Sequence, residues 1–200
     1  MNKYIKKISK AKVEESLGIK LSPNKISLGI DTALYKSGLA LIRTTDSYLI
    51  IEKLHLLNVP KLSKKKTMKE ILNNIDLFTE QLDEFKSEIN KTCKLDTTCI
   101  EDCYYSMSVI TTKILSYVGI LAYDRFKRLS KLTNIVPVSS VRKKVNFKKS
   151  SKNIKGTYLK KEIVAYVNEN LEIDIKDDNI ADAILLALSG LVGGLNEPKK

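Results

Sequence analysis

Four acidic residues stand where a carboxylate is costly. Asp31 closes the apolar run Ile26-Ser-Leu-Gly-Ile30, Glu101 closes Thr97-Thr-Cys-Ile100, and Asp178 and Asp182 open a segment that is otherwise almost wholly apolar. A carboxylate at the end of a buried strand loses its hydration and must recover it from a charge, from hydrogen bonds or from a bound cation. Each of the first three has a plain structural role available, as an Asx turn for Asp31, a solvated strand end for Glu101 or a helix N-cap for Asp178. Asp182 has none, because it falls a full turn inside the apolar segment. Two hard divalent ions about 3.5 to 4 Å apart need more carboxylate oxygens than one local motif supplies, so distributed acids suit them. These carboxylates are expected to meet at one end of a sheet and hold divalent metal for cutting nucleic acid.

A second group of residues suits the polyanion such chemistry would act on. From Arg142 to Lys161 there are nine Lys or Arg residues and no acid, with Phe147 and Tyr158 interleaved. That composition fits phosphate binding. The whole 200-residue chain carries 35 Lys and Arg against 23 Asp and Glu, a net charge of +12. A polyanionic partner follows, nucleic acid before an anionic membrane, since the lysines are spread over several elements and not gathered on one amphipathic helix. No apolar run approaches the roughly 20 residues that span a bilayer, and no signal-like block opens the chain. Cysteines at 93, 99 and 103 and the single histidine, His55, suggest neither a disulfide framework nor a zinc site. A soluble, cytoplasmic protein with reduced thiols is expected.

The elements that must position these residues are read from periodicity. Segments 26–31, 37–44 and 47–57 read as three strands joined by short turns, an antiparallel meander. Apolar residues from Met68 to Ile89 recur at three and four positions and predict a long helix. A strand at 97–101, a helix at 109–129, a strand at 134–138 and a buried helix at 178–192 follow. Strand–helix–strand crossovers of this length imply parallel pairing, so the sheet is mixed and the class is α/β. Residues 1–24 read as a basic helical extension, either a DNA-contacting arm or an edge-packed or dimer-forming helix. Residues 25–195 read as one domain and 196–200 as a frayed tail.

This order of elements is that of the ribonuclease H-like fold, a five-stranded mixed sheet flanked by helices, here with an extra N-terminal helix. Leu28-Gly-Ile-Asp31 with Gly38 seven residues on resembles the first motif of the RuvC-like Holliday-junction resolvases. Cys99-Ile-Glu101 with Tyr104 resembles their second, Val136-Pro-Val-Ser-Ser-Val-Arg-Lys-Lys144 their fifth strand and basic segment, and Asp178-Asn-Ile-Ala-Asp182-Ala their acidic helix. Thr32-Ala33 stand where many members have Pro-Gly. Many members also space the helix acids by three, which here falls on Asn179. Asp178 is four before Asp182 and about 40° away on the same helix face, so it is favoured over Asp177 as the fourth ligand, with Asn179 a weaker oxygen donor.

The resemblance implies a crossover junction endodeoxyribonuclease that nicks Holliday junctions and related branched DNA symmetrically, leaving 5′-phosphate and 3′-hydroxyl ends. It implies two Mg²⁺ ions, or Mn²⁺ in their place, held by Asp31, Glu101, Asp178 and Asp182. It further implies a lysine near the scissile phosphate, Lys143, Lys144 or Lys161, with Lys161 assigned to the catalytic set. Tyr104, or Tyr105 in its stead, would stack on an unpaired base. Arg142, Lys143, Lys144, Lys148, Lys149, Lys152 and Lys155 would contact DNA. A homodimer is implied, its interface on the 109–129 helix. The Lys-, Asn- and Ile-rich composition points to an AT-rich genome and a bacteriophage source. Two rivals remain: an RNA-processing nuclease of the same superfamily, and a catalytically silent branched-DNA-binding protein.

Overall fold

The apolar and small residues after Lys25 form the strand around which the sheet is built, β2 (Ile26–Asp31), which is buried along nearly its whole length. It pairs antiparallel with β3 (Lys36–Thr44), and β3 with β4 (Tyr48–Asn58). On its other side β2 runs parallel to β5 (Leu95–Glu101), and β5 parallel to β6 (Ser130–Val136). Returning a strand to run parallel needs a crossover. Helices α2 (Met68–Asn90) and α3 (Val109–Phe126) provide the two crossovers. A capping box between Thr67 and Glu70 starts α2. Three helices follow β6: α4 (Val138–Lys144), α5 (Gly156–Leu171) and α6 (Asp178–Leu191). The computed structural model describes residues 6–33, 35–63, 67–91, 93–102, 109–150 and 155–193, with the backbone alone at position 110.

The N-terminal segment differs from the expected helix and changes the strand count. It holds a strand, β1 (Lys6–Ser9), and then a shorter helix, α1 (Lys10–Leu17). Strand β1 pairs antiparallel with β4, so the sheet has six strands in the order β1-β4-β3-β2-β5-β6, where five were expected. Ile8 is the one buried residue of β1, and a single apolar position among lysines fits a strand or a helix equally well. The free edge of β4 decides between them. Helix α1 then buries Val13 and Leu17, and its Lys12 and Ser16 bond to Glu172 and Asn170 beyond α5 and within it. Strand β6 also begins earlier than the expected 134–138, because its exposed lysine and polar residues hide a strand that half faces water.

Helices cover both faces of the sheet. On one face Leu28, Ile30, Leu39, Leu41 and Leu57 meet Phe78, Leu82, Phe85 and Ile89 of α2, with Ile114, Val118, Ala122 and Phe126 of α3. On the other, Ala40, Ile42, Leu49, Ile51 and Cys99 meet α6, which α5 covers in turn, while α1 packs on α5 and β4. The lone histidine, His55, stacks on Phe85 with ring centroids 5.4 Å apart and has a packing role.

Candidate active site

Strand register brings the first two acids together. Ile30 and Ile100 are partners in the parallel β2–β5 pair, so Asp31 and Glu101 follow them at the ends of adjacent strands. Side chains alternate between faces along a strand. Gly29 and Cys99 lie on the α6 side, which places Asp31 and Glu101 there too. Of the other three acids, Glu101 acts most strongly on Asp31. Asp31 is only 5% exposed. Burial, then the adjoining Glu101 carboxyl, then the charges of Asp182 and Asp178, raise its carboxyl well above the usual range.

Helix α6 reaches this end of the sheet because two glycines let its backbone come close. A Cβ at position 29 would run into the Ala183 carbonyl and the Ala187 amide, and one at Gly38 into the carbonyl of Asn179. Gly38 is also the antiparallel partner of Asp31, so the seven-residue spacing of the first motif marks one contact point. Asp177 caps α6, accepting from the amides of Asn179 and Ile180, and pairs with Lys36. Asp178, the first helical residue, pairs with Lys160, and its charge acts on both Asp31 and Asp182. Asp182 lies 3.3 Å from an Nη of Arg142. Burial pushes its carboxyl up to about 6, with the charges of Glu101 and Asp178 adding to the rise and Arg142 opposing it.

The four acids thus share one end of the sheet in two pairs, the strand pair in mutual contact and the helix pair each on a cation of the chain. Among the described residues no three acidic, histidine or cysteine side chains close on one point as a finished metal cage. The donor chemistry nonetheless fits a hard divalent cation. The set is all carboxylate oxygen, and its most buried member, Asp31, is short of positive charge.

A basic cleft opens beside Glu101. It encloses about 670 Å³ and is lined by Arg142, Lys143, Lys148 and Lys149. Phe147 forms part of its floor, with the Arg142 guanidinium 6.0 Å from the ring centroid. Lys144, expected at the DNA, is turned away. Its neighbours Val141 and Val145 are buried, and on that side of α4 its ammonium donates to the Ser189 carbonyl of α6. Burial there lowers its pKa to about 8. Lys155 is exposed just before α5. Tyr104, Tyr105 and Lys152 lie outside the described residues.

Lys161 is exposed on α5, and it is Lys160 that reaches the acids. The charges of Asp178, Asp31 and Asp182 all raise the Lys160 pKa. Helical phase was the signal that could have found it, since Lys160 precedes buried Ile163 by three residues and Val167 by seven, on the stripe facing α6. Away from the site, Tyr117, Ile120 and Tyr123 form an exposed apolar row on α3.

No protein-family model matches the chain, and no curated protein does. Solved structures do. Thermus thermophilus RuvC in complex with a Holliday junction substrate superposes with a TM-score of 0.58 at 11% identity, covering 82% of this chain and 91% of that one. Another Thermus thermophilus RuvC structure gives 0.53 at 11%, covering 82% and 92%. The yeast mitochondrial Holliday junction resolvase Ydc2 gives 0.51 at 14%, covering 90% and 84%. The chain shares the fold of these structures, which is ribonuclease H-like.

Proposed function

We propose that this chain is a metal-dependent, structure-selective endonuclease that resolves four-way DNA junctions by paired nicks, leaving 5′-phosphate and 3′-hydroxyl ends. One observation carries this reading. The contacting pair Asp31 and Glu101, at the ends of parallel strands, shares its position with Asp178 and Asp182 and lies beside a basic cleft. The likeness to RuvC bound to a Holliday junction substrate supports the choice of DNA.

The four carboxylates would hold two Mg²⁺ ions, or Mn²⁺, which when bound supply Lewis acidity for phosphodiester hydrolysis. The chain's own residues do the rest. Lys143, Lys148 and Lys149 hold phosphates in the cleft and set the backbone against Glu101, which positions DNA without reading its sequence. Burial of Asp31 keeps water from its carboxylate and strengthens each charge interaction there. Positive charge held there would draw the Asp31 carboxyl, raised by burial and by its acidic neighbours, back to its ionised form. Paired nicks need two sites, so the exposed row Tyr117, Ile120 and Tyr123 on α3 is assigned to a second copy of the chain in a homodimer. Stacking of an unpaired base on Tyr104 completes the proposal.

Asp31→Asn and Asp182→Asn should each reduce nicking of a synthetic four-way junction in Mg²⁺ by at least about 10³-fold, about 4 kcal/mol of barrier. Binding measured in Ca²⁺ should fall by no more than about tenfold from the parent, because the basic cleft supplies most of the affinity. Full cleavage by either variant would overturn the reading. Three-way DNA and structured RNA at equal concentration test the substrate class, and preferential cutting of RNA would replace DNA in the proposal.

A further inference from the structure

The helix acids are already neutralised by cations of the chain itself. Arg142 reaches Asp182 from the basic cleft, and Lys160 reaches Asp178 from α5. The first pair is the more enclosed, with side-chain exposures of 20% and 18% against 56% and 29% for the second. Enclosure strengthens an ion pair once it is made, whereas exposed pairs are screened. The Arg142 pair is also incomplete. Only one Nη contacts Asp182, and among the described residues the buried Nε of Arg142 has no hydrogen-bond partner. A guanidinium edge pairs best in a bidentate way, with a carboxylate or a phosphate accepting from two nitrogens at once. Arg142 lines the cleft together with Lys143, Lys148 and Lys149, the residues that would bring a phosphate to it.

We propose that Arg142 and Lys160 are resident counter-ions that compete with divalent metal for Asp182 and Asp178, and that branched DNA, by drawing Arg142 onto a phosphate, releases the helix acids for metal. The inference rests on the metal-site reading above and adds an order to it. Free protein binds metal weakly, and DNA and metal bind cooperatively. Linkage requires the cooperativity to be reciprocal, so metal must tighten junction binding by the same factor. Arg142 and Lys160 act here as positioning residues, through the carboxylates they hold.

The test is Ca²⁺ binding to the full-length protein by titration calorimetry, with and without a synthetic four-way junction. Wild type should gain about tenfold in Ca²⁺ affinity when the junction is present. Arg142→Met should bind Ca²⁺ about tenfold more tightly than wild type without DNA and lose most of the gain from DNA. Lys160→Met, at an exposed position where folding is not at risk, should shift the DNA-free affinity in the same direction by about threefold. Unchanged or weaker Ca²⁺ binding in both variants, or no gain from the junction in wild type, overturns the proposal. Asp31→Asn and Asp182→Asn separate this failure from a failure of the site itself. If neither substitution weakens Ca²⁺ binding, the metal-site reading falls and this inference falls with it.

Discussion

The two faces of the sheet are held by different means. Toward α2 and α3 the contact is one of volume, with Leu28, Ile30 and Leu39 filling space against Phe78, Phe85 and Phe126. Toward α6 it is one of approach, with the strand backbone at Gly29 and Gly38 lying against the helix backbone itself. Side chains can shift rotamer to absorb a change, whereas two backbones in contact cannot. All four site carboxylates belong to the face with the least slack. A core of aromatic and aliphatic side chains supplies stability on one side, so the other can be given over to placing charges that burial penalises.

Three substitutions probe that contrast, in decreasing order of their effect on stability. Phe85→Ala, on the face held by volume, should cost about 3 to 5 kcal/mol in denaturant unfolding. The nicking rate of the protein that remains folded should change by less than about twofold, and a larger fall would show that the faces are not independent. Gly29→Ala, on the face held by approach, should cost about 3 kcal/mol, because a Cβ driven into the Ala183 carbonyl oxygen forces two backbones apart. Its nicking rate should also fall by about tenfold to a hundredfold, since displacement of α6 by roughly an ångström moves Asp178 and Asp182 from the strand acids. Equal loss of rate in the two variants would erase the distinction.

The smallest effect concerns Lys144, which braces α4 against the Ser189 carbonyl on the α6 side. Its folded pKa, about 8, lies below the unfolded value of about 10.4. The unfolded chain therefore binds more protons between those two values, and this residue's contribution to stability rises as pH climbs from about 8 to about 10.4. Below pH 8 the contribution is flat. The difference in Tm between wild type and Lys144→Met, followed across that window, should show the rise and cancel other groups such as Tyr166, whose hydroxyl burial pushes up to about 12. Junction affinity should be the same in both proteins, unlike a substitution at Lys143.

Much of this was legible because periodicity and charge placement act locally. The meander, both crossover helices and α6 follow from apolar spacing, and the acids stood out by their apolar neighbours. What could not be read depends on distant contacts. The lysines at 143 and 144 are alike in sequence, and only the seat of Val141 and Val145 in the core sends one to the cleft and the other to Ser189. Lys160 and Lys161 differ only in helical phase against α6. Strand β1 exists because β4 has an edge to cover, which four residues with one apolar position cannot announce. Gly29 and Gly38 were visible as motif letters, but their reason, the nearness of another backbone, is three-dimensional.

The seam between Leu21 and Val192 has a consequence for how the chain folds. The Ser22 amide donates to the Leu191 carbonyl at 2.8 Å and the Gly193 amide to Lys20 at 3.0 Å, tying α6 to the residues just before β2. Contacts between segments so far apart in sequence close slowly, because loop-closure entropy must be overcome before they form. Strands β2 to β5 with α2 and α3 can condense earlier around their aromatic core, and at that stage Asp31 and Glu101 have no partners from α6. An intermediate of this kind would possess a core and half a catalytic centre. With the proposed function, such an order of assembly would keep an immature chain from cutting DNA, and opening the seam by proteolysis should silence the mature protein before its aromatic face unfolds.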